Sequence, residues 1–170
     1  MTDFLRSLDI VTSFTLWLDN SALSLWVISN PYLWPALESV HFLGLSLLIG
    51  TVGLFDLRLL GFARNIEPKT LHRLVPLGVL GYGINAVTGA LFFVGDTGQY
   101  VYNAAFHFKM LFMLLTGINV AVFYLTIYRR VEGVEAEGHP PTLAKLIGGL
   151  SLLLWLGVIT CGRLLTFYRP

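Results

Sequence analysis

The chain has 170 residues, 55% hydrophobic and only 12% charged, with net charge +1 and mean hydropathy +0.72. A water-soluble domain carries about 25% charged residues, so composition excludes that class and makes the lipid bilayer the first partner. The near-neutral balance says nothing of nucleic acid, for which the sequence carries no binding motif, and the lone Cys161 excludes an intramolecular disulfide or a cysteine-based metal cluster.

Residues 1–32 come first. Met1 to Leu18 lacks a basic stretch, apolar core and small-residue cleavage site, so no removable signal peptide is read there. Apolar residues at Phe4, Leu5, Leu8, Ile10, Val11, Phe14 and Leu18 are interrupted by Arg6, Asp9 and Asp19. That mixture predicts an amphipathic helix lying in the membrane interface, not a further span.

Residues 33–170 form the membrane domain, an all-α four-helix transmembrane bundle. A hydrocarbon core of about 30 Å needs roughly 20 apolar residues at 1.5 Å each. Four stretches qualify: Leu33–Phe55, Val75–Val94, Ala104–Tyr128 and Leu143–Leu165. Pro35 and Pro76 fall in first turns, where the missing N–H costs nothing. Gly95-Asp96-Thr97-Gly98 predicts a turn, and the polar link from Arg129 to Thr142 a mobile loop.

Lysine and arginine set the orientation. Arg58, Arg64, Lys69, Arg73, Arg129, Arg130 and Lys145 cluster on one side; Arg6, Arg163 and Arg169 lie on the other. The basic side is therefore read as cytoplasmic and both termini as external. Trp34, Tyr100, Tyr102, Tyr128 and Tyr168 fall at span ends, where an aromatic belt belongs.

Ionisable residues inside spans are costly and mark functional positions. Glu38 and His41 lie one turn apart in the first span, and Asp56 repeats the direction of Glu38 18 positions on. In the third span, Lys109 shares a stripe with Thr116 and Asn119, while His107 points roughly 200° away from Lys109. By depth, Glu38, His41, Lys109 and Arg163 form an outer-leaflet polar cluster, with Glu38 pairing Arg163 or Lys109. Asp56 and Arg58 are expected at the opposite surface with Arg64 and Arg73. Gly78, Gly81, Tyr82, Asn85 and Gly89 share one face of the second span, with Asn85 as interhelical glue.

Three functional readings remain open. Haem b, held by His41 and His107, would make this an electron-transfer protein; Met110 or Met113 are substitute ligands. Glu38, His41 and Lys109 would instead serve proton, ion or solute transport, although the aliphatic middle of the first span leaves only Asn85, Thr88, Thr116 and Asn119 as stepping stones. The third reading is a register-fixing polar network in a structural accessory subunit, with a second copy or a membrane redox protein as partner. No phosphate cradle, Ser/His/Asp set or zinc site is present in the sequence, so enzymatic activity is left undecided.

Glu38-Ser39-Val40-His41-Phe42-Leu43-Gly44-Leu45, continuing to Gly50-Thr51 and Phe55-Asp56-Leu57-Arg58-Leu59-Leu60-Gly61, resembles a family of small bacterial inner-membrane proteins of unknown function. Thr88-Gly89-Ala90-Leu91, Asn103-Ala104-Ala105-Phe106 with Lys109, Trp155-Leu156-Gly157-Val158-Ile159 and Gly162-Arg163-Leu164 carry the likeness onward. The resemblance implies four spans in a bacterial inner membrane and marks Glu38, His41, Asp56, Arg58, Lys109 and Arg163. It does not reserve the position of His107 for histidine. More remotely, the early-helix histidine is similar to that of copper-resistance and b-type cytochrome membrane domains.

Overall fold

The computed structural model describes residues 7–134 and 138–167, which are almost wholly helical and contain no strand. Arg6, Tyr168 and Arg169, together with Phe4, Leu5 and the centre of the Arg129–Thr142 link, lie outside the described residues. In chain order the helices are α1 (Asp9–Asp19), α2 (Ala22–Ser29), α3 (Leu33–Leu60), α4 (Pro68–His72), α5 (Val75–Gly95), α6 (Thr97–Val101), α7 (Ala104–Thr126), α8 (Tyr128–Glu132) and α9 (Thr142–Leu164). Four stretches are long and apolar enough to cross a membrane: α3, α4 joined to α5, α7 and α9. Large apolar side chains such as Leu125, Val79 and Leu153 stand exposed around the bundle. In water that would be a liability; against lipid it is the expected surface.

Helix α3 outruns its expected end. It continues through Asp56 and Arg58 to Leu60, then stops at Gly61, whose φ of 97° is the left-handed cap that glycine adopts without strain. After α1 the chain turns at Asn20-Ser21 into α2. The Ser21 hydroxyl caps α2 by accepting from the Ser24 amide at 3.1 Å. The Gly95–Gly98 turn holds the start of α6, where the Asp96 carboxylate accepts from the Gln99 amide. Helix α1 is tied to this corner because Asp19 accepts from the Thr97 amide at 3.2 Å. Val27 on α2 packs where Gly95 leaves room. Ile10, Phe14 and Trp17 then remain exposed on one face of α1.

The spans pack in the spatial order α5–α3–α9–α7. Helix α3 meets α5 most extensively, α9 meets α7, and α3 meets α9. Lipid tails are as apolar as leucine, so close backbone approach has to supply the attraction. It does so at Gly44 and Gly81: a Cβ on Gly81 would lie 2.5 Å from the Gly44 carbonyl oxygen and 2.8 Å from the Leu48 amide nitrogen. Gly148 plays the same part between α9 and α3, against the Asp56 carbonyl and Leu59. Leu59, Phe123, Ile127, Val131, Ala144 and Ile147 form the core at the basic-loop end. Leu48, Trp155 and Val158 form a second one deeper in.

Helices α5 and α7 make no comparable contact along their length. They meet chiefly through side chains at their two ends. At one end Phe93 stacks on Phe106 at 5.6 Å, with Tyr100 against both rings. At the basic-loop end His72, just before α5, hydrogen-bonds the Tyr124 hydroxyl on α7 (Nε2···Oη 3.0 Å). Between these bridges the bundle is open.

Candidate functional site: a cavity between the spans

The opening leads into a cavity of about 470 Å³ lined by all four spans. Its size suits a small organic molecule. The rim is exposed: Val79 and Tyr82 on α5, and Val120 and Tyr124 on α7. The deep wall is the α3–α9 seam, where Asp56, Ser151 and Trp155 lie. Asp56 is 5% exposed, and its Oδ2 is buried without a hydrogen-bond partner; the Ser151 hydroxyl stands beside the carboxyl. The Trp155 indole N–H is likewise buried and unpartnered. Buried polar atoms are nearly always satisfied; Asp56 and Trp155, both in the cavity lining, each carry one that is not.

The neighbouring polar residues are spoken for. Thr116 donates to the Phe112 carbonyl within its own helix. The Asn119 amide donates to the Ile147 carbonyl across the α7–α9 contact at 3.1 Å. The glue role expected of Asn85 thus belongs to Asn119. Both amide ends of Asn85 are buried without partners, so Asn85 makes no interhelical bond.

Asp56 and Arg58 do not form the surface charge group with Arg64 and Arg73 that the sequence suggested. Arg58 is fully buried and turns away from the cavity. Its Nε donates to the Ile66 carbonyl at 2.7 Å and its Nη2 to the Gly138 carbonyl at 3.3 Å. It thereby clamps the two basic loops together. Arg64 adds a second link, donating to the His139 ring at 3.3 Å. The shift from surface to interior follows from the extra helical turn that α3 makes before Gly61.

At the opposite end, the four expected cluster residues are not bonded to one another. Glu38 is exposed on α3, and no ion pair joins it to Lys109 or Arg163. Its nearer neighbour is Tyr100, whose hydroxyl pKa is pushed up to about 12 by burial and then by the carboxylates of Asp96 and Glu38. Arg163 is exposed and lies over the Phe167 ring at 5.2 Å. Lys109 reaches toward Gly162 on α9 and is close enough to His41 for their charges to interact.

His41 is held by α5. Its Nδ1 is 2.7 Å from the Thr88 hydroxyl, which itself donates to the Ile84 carbonyl at 2.7 Å. With its only proton so used, the hydroxyl must accept from Nδ1–H, which leaves the Nε2 lone pair available. Phe92 packs edge-on against the imidazole at 5.6 Å. His107 bonds its own helix, Nδ1–H to the Asn103 carbonyl at 2.9 Å, and touches Phe106. No contact joins the two imidazoles: Phe92 packs on His41, while His107 packs on Phe106. Among the described residues, no group of three His, Cys, Asp or Glu side chains could hold a metal ion.

Fold and site define a multi-pass α-helical membrane protein with a small-molecule-sized cavity inside the bundle. Comparison of the chain with protein-family models, with curated proteins and with solved structures finds no match.

Proposed function

We propose that the protein binds a lipid-soluble small molecule that enters sideways from the bilayer between α5 and α7, as a receptor or carrier. The observation that carries this is the cavity itself: four helices converge on a polar wall at the α3–α9 seam, while the side facing lipid is left unsealed. The reading moves solute handling from Glu38, His41 and Lys109 to Asp56 and its neighbours. We place the basic loops in the cytoplasm and both ends outside, in a bacterial inner membrane. The lysine and arginine distribution supports the first part; the family resemblance alone supports the second. The Ile10, Phe14 and Trp17 face of α1 suits a helix resting in the outer interface.

Gly117 offers a direct test. It lines the cavity, and a Cβ there would meet nothing within 4 Å. Gly117→Phe should fill the space with little strain and leave the unfolding midpoint unchanged or raised. Binding of a neutral fluorescent apolar probe, 1-N-phenylnaphthylamine, in detergent should fall to background in that variant. Equal binding by wild type and Gly117→Phe would sink the proposal.

Haem-associated electron transfer is a second reading, favoured by one observation. Thr88 fixes His41 in the tautomer that leaves Nε2 free, the arrangement a ligating histidine uses. His107 shows no comparable approach to His41, so a two-histidine clamp lacks its second half here. The protein purified after expression with ample haem supply should show a Soret band that disappears in His41→Ala. A spectrum without that band removes the reading.

A further inference from the structure

We infer that the ligand of the cavity is a lipophilic organic cation, with the Asp56 carboxylate as its counter-charge; this rests on the cavity being a binding site. Three features converge. First, an ionised carboxylate taken out of water needs a compensating charge or several hydrogen bonds, and Asp56 has neither. Its Oδ2 is buried without a partner, and only the Ser151 hydroxyl stands beside the carboxyl. Second, among the described residues no lysine, arginine or histidine lines the cavity. The nearest cation in sequence, Arg58, spends its donors on the Ile66 and Gly138 carbonyls on the far side of α3. While the carboxyl is ionised, the compensating charge has to come with the guest.

Third, the remaining walls are aromatic. Phe55, Tyr82, Phe123, Tyr124 and Trp155 surround the space. Ring faces attract cations, most strongly where water is excluded, and they also take up flat apolar groups. A carboxylate at the deep end of an aromatic, lipid-open chamber selects for delocalised or substituted ammonium-like charge on a greasy body. It selects against anions and against small hydrated ions, which the apolar rim cannot rehydrate. The Trp155 N–H adds a donor at the same wall for any acceptor atom the cation carries. Tyr82 and Tyr124, the other titratable groups in the lining, sit on α5 and α7 at the rim, where they add no competing positive charge.

The test compares a charged probe with a neutral relative. Tetraphenylphosphonium and triphenylphosphine oxide are measured by equilibrium dialysis against the detergent-purified full chain, with Gly117→Phe as the filled-cavity reference. Wild type should hold the cation at least about tenfold more tightly than the oxide, the scale expected of one charge pair in a partly desolvated site. Asp56→Asn should erase that preference while keeping the oxide affinity within about twofold, which also shows that the variant is folded. If Asp56→Asn does not fold, the cation-over-oxide preference of the unmodified protein decides. Binding of both probes with no preference for the cation, or a preference that survives in folded Asp56→Asn, overturns the cation inference and leaves the cavity reading standing. Binding of neither probe above the Gly117→Phe level overturns both.

Discussion

Gly81→Ala should destabilise the protein by about 1–3 kcal/mol, the usual cost of forcing atoms into a packed contact, and Gly81→Leu by more. A methyl group here meets backbone on α3, the Gly44 carbonyl oxygen at 2.5 Å and the Leu48 amide nitrogen at 2.8 Å. Backbone cannot rotate aside, so the helices must separate. Separation loosens the most extensive contact in the molecule and with it the Thr88 hold on His41. Gly83 lies two residues further along the same helix and has nothing within 4 Å of its would-be Cβ. Gly83→Ala should therefore be neutral or slightly stabilising through helix propensity. Unfolding by dodecyl sulfate in mixed micelles, followed by helical circular dichroism, reads both variants. Matching midpoints for Gly81→Ala and Gly83→Ala would show that the crossing is looser than described.

Arg58→Ala is expected to cost roughly 3 kcal/mol or more, since hydrogen bonds to a charged group contribute about 1.5–3 kcal/mol each. The substitution deletes the donors to the Ile66 and Gly138 carbonyls and leaves a hollow at the base of α3. Arg58→Lys should not rescue it. A single ammonium lacks the planar fork that reaches two carbonyls in different directions. The same loss should free the loop between α3 and α4, so tryptic cleavage after Arg64 should quicken in both variants. A lysine variant with wild-type midpoint and cleavage rate would refute the clamp.

Much of the bundle was readable because lipid imposes one simple rule, a long apolar run with breakers at its ends. All four spans lie within a few residues of where hydropathy put them. The misplaced elements are those where the rule is silent. Asp56 and Arg58 look like surface charges because two ionisable residues near the end of a run normally are. Their burial depends on Gly61 capping one turn later and on a distant loop bringing Gly138 to Arg58. Asn85 and Asn119 show the same gap in another form. Both are asparagines inside a span, yet Asn119 finds a carbonyl within reach and Asn85 does not. Which one succeeds is decided by how far apart two helices stand, and no periodicity records that distance.

The candidate site was legible only in pieces. Thr116, Asn119 and Asp56 were each singled out, but as stepping stones or surface charges. The cavity that unites them is an empty volume, and residue patterns describe what is present. The sequence shows Gly117 beside the Thr116 and Asn119 stripe, but only the structure shows that nothing packs against it. The Glu38 cluster illustrates the converse. Equal depth put four ionisable groups on one level, but azimuth sends Glu38 and Arg163 outward while His41 and Lys109 stay within.

The spatial order of the spans also bears on how the molecule is made. Helices α3 and α5 are consecutive in the chain and pair through Gly44 and Gly81; α7 and α9 are consecutive and pair with each other. Each pair is a complete helical hairpin that can insert and close as soon as it leaves the ribosome. Joining the halves then makes the α3–α9 seam, where Gly148 meets the Asp56 backbone, along with the Arg58 loop contacts and the side-chain bridges at the two ends of α5 and α7. The cavity is lined by all four spans, so a protein with both hairpins formed but not joined would lack it.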